Sequence, residues 1–274
     1  MKPNRISVVL STYNQPEWLD KTLAGYAVQD APPDEVLIAD DGSADATGEV
    51  IERHAATAPF PLRRLWQEDR GFRKCRALNE AILAATGDYL IFSDGDCVPR
   101  RDFVSVHRRL AAEGCFLSGG YYKLQRDLSE LISDDDIRSG RAFDYRWLRS
   151  EGLRPDRHAL RLWAGPLVAL CSDLITTTRP TWNGNNASAF RTALIAAGGF
   201  DERMRYGGLD RELGERLVNA GLRGVQIRNR AVCLHLDHPR GYANEQDWKN
   251  NHAIRAETRL LRRRRTDHGI PAAA

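Results

Sequence analysis

Asp88-Tyr-Leu-Ile-Phe-Ser-Asp-Gly-Asp-Cys-Val-Pro99 is the stretch around which this 274-residue chain is organised. The short apolar run at 89–92 reads as a buried strand, and it ends abruptly in Asp94-Gly95-Asp96. Residues i and i+2 of an extended segment point to the same side, so both carboxylates can converge on one point. Gly95 puts no side chain between them and lets the backbone approach a ligand. Carboxylate oxygens so placed suit a hard cation such as Mg²⁺ or Mn²⁺, commonly shared with phosphates. A polar turn closing a strand is the plain alternative, and the rest of the chain has to decide between them.

Working outward towards the N-terminus, strand and helix signals alternate. Residues 5–11 form a β-rich run ending in Thr12-Tyr13-Asn14, and Pro16 suits the first turn of a helix reaching about Val28. Ala31-Pro-Pro-Asp34 breaks that helix, and a second strand at 35–39 ends in Asp40-Asp41-Gly42-Ser43. A helix over about 45–56, a strand at 62–66 and a helix at 75–85 lead back to the 89–92 run. Short connections between alternating elements predict a mostly parallel α/β sheet covered by helices on both faces. Such sheets bind ligands beyond the carboxyl ends of their strands, where three polar stretches fall together: 11–14, 40–43 and 94–96. Neither a glycine-rich dinucleotide fingerprint nor a P-loop is present in the sequence.

Ser7-Val-Val-Leu-Ser-Thr-Tyr-Asn14, Ala39-Asp-Asp-Gly-Ser43, Gly71-Phe-Arg-Lys-Cys-Arg-Ala-Leu-Asn-Glu-Ala-Ile82 and Ser93-Asp-Gly-Asp96 together resemble a family-2 glycosyltransferase of the GT-A, Rossmann-like fold, in order and in register. The resemblance implies a nucleotide-sugar site. In it Ser11 and Tyr13 line the nucleoside, Asp41 accepts a hydrogen bond from the base, and Arg76 reaches the ribose or a phosphate. Asp40 is as well suited to holding its turn. Asp94 and Asp96 become the Asp-x-Asp pair, in which a bound Mn²⁺ or Mg²⁺ bridges protein and diphosphate.

After Cys115-Phe-Leu-Ser118 the alternation fails until about Pro180. Residues 127–132 and 137–148 read as helical, with Asp134-Asp-Asp136 between them as helix-start chemistry. Of the tryptophans in this acceptor-side helical segment, Trp182 beside Asn183-Gly-Asn-Asn186 is the one expected to stack on a sugar, although core packing explains most tryptophans. The segment from Trp182 to Arg191 partly resembles the family's stretch against the donor sugar, so Trp182, Asn185 and Asn186 are expected to bind substrate.

Gly198-Gly-Phe-Asp-Glu202 precedes Tyr206-Gly-Gly-Leu-Asp-Arg-Glu-Leu-Gly-Glu-Arg-Leu217, so two glycine pairs flank a loop at 201–206 that reads as mobile. A helix starts near Asp210, where the dipole favours an acid in any case. The pattern is similar to the catalytic motif of inverting glycosyltransferases, which implies that Asp210 is the general base. Leu209 stands where that motif has glutamate, putting acceptor choice in doubt, while Glu212 and Arg216 are placed to brace one another. Next, Val232-Cys-Leu-His-Leu-Asp-His238 carries two histidines three apart. This stretch resembles the metal-binding part of the beta-galactosyltransferases, implying His238 as a ligand and His235 as its neighbour.

Composition is ordinary for a globular protein, with 42% hydrophobic and 28% charged residues. Five scattered cysteines without C-x-x-C spacing argue against a disulfide framework or a zinc site and fit a reducing, cytoplasmic setting. No leader-like stretch follows Met1, and no apolar run reaches the roughly 20 residues needed to span a bilayer. Residues 255–267 hold six arginines against Glu257 and Asp267. That excess suggests peripheral contact with the inner membrane surface or a solvated helix end; no nucleic-acid partner is expected.

The expected organisation is a nucleotide-sugar-binding half (1–118), an acceptor and catalytic half of the same domain (119–245), and a closing helix with its basic tail (246–274). The expected activity is inverting transfer from a UDP-hexose or UDP-N-acetylhexosamine to a glycan or glycolipid hydroxyl. A nucleotidyltransferase on a similar sheet would need a basic glycine-rich N-terminal loop, which 11–14 lacks. A non-catalytic sugar-binding module is the other alternative, suggested by Leu209.

Overall fold

The computed structural model describes residues 2–154, 156–239 and 244–272. β1 (Ile6–Thr12), α1 (Pro16–Ala27), β2 (Glu35–Asp40), α2 (Asp45–Ala55), β3 (Leu62–Trp66), α3 (Lys74–Ala84) and β4 (Tyr89–Asp94) follow the alternation read in the sequence. β1 pairs in parallel with β2 and β4, and β2 with β3. Every residue of β1 and β2 is buried, as expected of parallel strands covered on both faces. Alternate side chains separate the two cores: Val9, Leu37, Leu90 and Phe92 face one, while Val8, Leu10, Ile38 and Ile91 face the other.

β5 (Cys97–Pro99), α4 (Phe103–Leu110), β6 (Cys115–Ser118) and β7 (Gly120–Lys123) come next. The helical segment then runs through α5 (Arg126–Leu131), α6 (Asp134–Ser139), α7 (Tyr145–Ser150), α8 (Leu160–Trp163) and α9 (Pro166–Ile175). The acidic triplet does start a helix: Ser133 and Asp136 form a reciprocal capping box at α6. The continuous helix read over 137–148 is broken, because Gly140 takes a left-handed conformation (φ 85°) and ends α6.

β8 (Ala187–Phe190), α10 (Arg191–Ala196), α11 (Leu209–Asn219), β9 (Arg223–Gln226), β10 (Val232–His235) and α12 (Glu245–Leu260) complete the chain. The seven-stranded sheet has the order β3-β2-β1-β4-β8-β6-β9, with β8 antiparallel to both neighbours. Thus strands from the second half of the chain extend the sheet begun by the first. A smaller sheet, β5-β10-β7, lies apart from it and pairs His235 with Cys97.

α12, the expected closing helix, stops at Leu260, and Arg262 has φ 49°. Much of the basic tail is occupied within the fold. Arg255 binds Glu215 at 2.5 Å, Arg263 binds Glu257 at 2.6 Å, and Arg265 donates to the Ile195 and Ala196 carbonyls at the end of α10. Among the described residues, no helix is long and apolar enough to cross a membrane.

Candidate active site

β1, β2 and β4 end side by side, with Ser11 opposite Asp94 and Thr12 opposite Asp40. Their loops open into a cleft of about 590 Å³, closed on the far side by the 182–185 and 206–211 segments. Asp40 holds its own turn: it accepts from the Ser43 amide at 2.8 Å and from Arg64 Nε at 2.8 Å. Asp41 lines the cleft, accepting from Gln67 Nε2 (2.6 Å) and the Arg73 amide (2.7 Å), and burial raises its pKa. Tyr13 is 42% exposed at the cleft mouth; its hydroxyl donates to Asp69, and that bond raises the phenol pKa.

Ser11 Oγ donates to Asp94 Oδ1 at 2.6 Å. Lys74 Nζ donates to the same oxygen at 2.7 Å. Sequence reasoning missed Lys74. Burial works against its charge, but Asp94 and Asp210 outweigh burial and hold the ammonium well above its ordinary pKa. A signal was available: Lys74 opens α3, whose first turn has no acidic residue, although a helix N-terminus disfavours a cation. Arg76, the residue expected to reach the donor, lies outside the cleft lining. Two residues further along α3, about half a turn, it is directed outward and pairs with Glu80 at 3.0 Å on the exposed face.

Asp96 leaves the end of β4 for the smaller sheet. The β5–β10 register places His235 beside it, and His238 Nε2 lies 2.7 Å from Asp96 Oδ2. His235 Nε2 is 3.8 Å from the same oxygen, and the two imidazoles stack at 5.8 Å, 4° from parallel. Burial alone would raise the Asp96 pKa; the His238 hydrogen bond and both histidine charges hold it down to about 2.

These residues fit a divalent cation. Each imidazole has Nδ1 at 2.9 Å from a backbone carbonyl, Leu236 for His235 and Pro239 for His238, and turns Nε2 towards Asp96. This is the outer-shell arrangement that presents histidine nitrogen to a metal. Gln15 Nε2 also reaches His238 Nδ1, at 2.9 Å. A mixed imidazole and carboxylate set suits Mn²⁺ better than Mg²⁺, which favours oxygen. Cys97 lies close to Asp96 and His235, but burial pushes its thiol well up, and Sγ donates to Asp96 Oδ1 at 3.3 Å.

Asp210 faces this edge from the first turn of α11. Its Oδ1 is buried without a hydrogen bond of ordinary geometry. Burial pushes the carboxyl up to about 6; Lys74 and the Asp210 and Gly184 amides pull it down, and Asp94 adds to the rise. The approach of the 182–185 loop requires glycine, since a Cβ at Gly184 would stand 2.4 Å from Asp210 Oδ1. Leu209 is buried in the core, and Glu212 and Arg216 form the expected brace, buried at 2.7 Å. The loop at 201–206, read as mobile, is fastened by Asp201–Arg203 and Asp201–Thr266 contacts and by Asn79, which donates to Glu202.

Two expected substrate contacts are corrected. Trp182 borders the cleft but is fully buried between Phe92 and Phe116, 5.4 and 6.1 Å away between ring centres, so no indole face is left for a sugar. Asn186 is also fully buried; its amide donates to the Gly120 and Ala231 carbonyls and its oxygen lies 3.0 Å from His107 Nε2, stitching the two sheets together. Asn185 does line the cleft. The aromatic surface that faces it comes instead from Tyr121 and Trp248, each 40% exposed, with Tyr206, just before α11, set edge-on to Trp248.

The chain is similar in sequence and fold to known proteins. The chain is 29% identical over 279 aligned residues to an uncharacterised glycosyltransferase, YfnE, of Bacillus subtilis (strain 168), covering 90% of this chain and 68% of that protein. It is 25% identical to chondroitin synthase of Escherichia coli over 88% of this chain, but spans only 36% of that protein's length. The mannosyltransferase PcManGT from Pyrobaculum calidifontis, solved with GDP-Man and Mn²⁺, superposes with a TM-score of 0.58 at 24% identity, over 96% of this chain and 63% of its own. The fold is accordingly the α/β GT-A arrangement. Residues 7–152, more than half of the chain, match the model of glycosyl transferase family 2, and the protein belongs to that family.

Proposed function

We propose that this protein is a metal-assisted, inverting glycosyltransferase that moves a sugar from a nucleoside diphosphate donor to a hydroxyl of a glycan or glycolipid. One observation carries the reading: a largely buried carboxylate, Asp210, with its pKa at about 6 and its buried oxygen without a hydrogen bond of ordinary geometry, faces a carboxylate–imidazole cluster across a single cleft. A base poised near neutrality suits proton removal from an alcohol. In this reading Ser11, Tyr13 and Asp41 surround the nucleoside. Asp96, His238 and His235, with Asp94, would hold a divalent cation, which would neutralise charge on the departing diphosphate.

Asp210 accepts the acceptor hydroxyl proton as that oxygen attacks the anomeric carbon. The bond from that carbon to the diphosphate oxygen breaks with its electron pair leaving on the diphosphate. Attack opposite the leaving group inverts the anomeric configuration, and no second carboxylic acid is needed to protonate the leaving oxygen, unlike glycoside hydrolysis. Lys74, held at the cleft by Asp94, is placed to meet a phosphate oxygen of the donor. Trp248 and Tyr121 form the surface for the acceptor sugar, since a pyranose face packs well on an aromatic ring.

Nucleotide release from UDP-hexoses, UDP-N-acetylhexosamines and GDP-hexoses with Mn²⁺ tests the reading. Release from one donor class, abolished by chelation, is the expected result. Binding of a donor with no turnover for any acceptor or water would instead support a sugar-binding module.

A further inference from the structure

Helix α9 is inverted relative to an ordinary surface helix, which turns its apolar stripe to the core. It buries Ala169 and Asp173 and exposes Leu167, Val168, Cys171, Leu174 and Ile175. Leu167, Leu174 and Ile175 are 78%, 73% and 79% exposed. Positions 167, 168, 171, 174 and 175 fall on one helical face, and Trp163, exposed at the end of α8, adds to it. A polar anchor fixes this orientation. Asp173 accepts from the Asn229 amide (2.9 Å), Asn229 Nδ2 (3.0 Å) and Arg230 Nε (2.8 Å). Rotating the helix to hide its leucines would break the buried Asp173–Arg230 ion pair. An apolar patch held outward in this way marks an interaction surface.

The charge of the chain that flanks α9 selects the occupant. Residues 145–180 contain Arg146, Arg149, Arg154, Arg157, Arg161 and Arg179 against Glu151, Asp156 and Asp173, a net of 6 − 3 = +3. All of these arginines except Arg161 are exposed, while Asp173 is buried. A second copy docked through a two-fold axis would set this basic rim against itself. An anionic bilayer accepts both features, the stripe at the acyl boundary and the arginines among the headgroups.

We infer that α9 and the exposed arginines that flank it in the chain dock the protein on an anionic lipid surface. The segment meets the cleft at both ends: Arg161 donates to the Tyr121 carbonyl, and residues 182–185 form the opposite wall. Resting on the proposed transferase activity, the inference also names the acceptor class, a hydroxyl carried on a membrane-anchored lipid.

Flotation of the full chain with vesicles tests this, comparing equal parts phosphatidylglycerol and phosphatidylcholine with phosphatidylcholine alone. Flotation with the anionic vesicles is expected. Partitioning should fall at least about tenfold in Leu174→Ser/Ile175→Ser and about fivefold for each of Arg157→Gln and Arg179→Gln. Unaltered melting temperatures and unaltered donor hydrolysis in solution would show that these exposed substitutions leave the fold and the site intact. The inference is overturned if the protein does not float, if the variants float as well as the wild type, or if light scattering shows a dimer that the double variant splits without vesicle binding. Vesicle binding without turnover of any nucleotide sugar would sink the proposed activity and leave the docking surface standing; turnover without binding would do the reverse.

Discussion

Replacing Asp210 by asparagine should stabilise the protein while stopping its chemistry. Burial is the main reason that the Asp210 carboxyl sits at about 6 against an ordinary 3.8. The folded state therefore holds this proton more tightly than the unfolded chain does. The stability this contributes is complete below about 3.8 and is lost as pH rises through about 6. A displacement of about two units corresponds to roughly 3 kcal/mol between protonated and ionised forms. Solvent reaching the carboxylate from the open cleft, and the loss of its attraction to Lys74, reduce the expected gain to about 1–2 kcal/mol. For a chain of this size that is a melting temperature higher by about 2–4 °C at about pH 7.5. The assay is thermal unfolding of both proteins in chelator from about pH 4 to pH 8, where the difference should shrink to nothing at the acid end. An Asn variant that melts below the wild type at neutral pH, or a difference constant across the range, would refute the assignment of a strained, ionised base.

Other substitutions separate the remaining roles. Because the Lys74 charge lowers the Asp210 pKa, Lys74→Met should move the acid limb of the kcat/KM profile upward in pH; a limb that stays or falls contradicts the coupling. Mn²⁺ should raise the melting temperature of the wild type in proportion to saturation, and His238→Ala should remove most of that shift at equal metal. Trp182→Ala should cost about 3–5 kcal/mol of stability by urea unfolding, whereas Trp248→Ala should leave stability nearly unchanged and raise the acceptor KM. Arg76→Ala should leave the donor KM unaltered, since its guanidinium is engaged with Glu80 outside the cleft.

The parallel half of the fold was legible because short apolar strands, two of them buried throughout, alternate with helices from Ile6 to Asp94 and end in polar turns. β8 and β9 were not. Each is four residues long, and their membership of the sheet comes from pairing with β4 and β6 far away in sequence. The nearness of Asp96 to His235 and His238 was inferred from a resemblance; its physical cause is the β5–β10 register, which no local pattern displays. Trp182 and Asn186 were misread for a related reason. An aromatic or an amide next to a glycine-broken loop serves a ligand or a core equally well, and their complete burial decides for the core. Lys74 was overlooked inside a motif already quoted, although a lysine opening a helix breaks a local rule, and such breaks concentrate at functional sites.

Nucleotide binding and nucleotide release, measured side by side on Asp210→Asn and Asp96→Asn with Mn²⁺ and the donor found by the screen, test the division of labour in the cleft most directly. Asp210→Asn should bind the nucleoside diphosphate as the wild type does while turnover falls by about 10²–10⁴-fold, and Asp96→Asn should lose metal-dependent binding itself. Near-full turnover by Asp210→Asn, or wild-type Mn²⁺-dependent binding by Asp96→Asn, would contradict it.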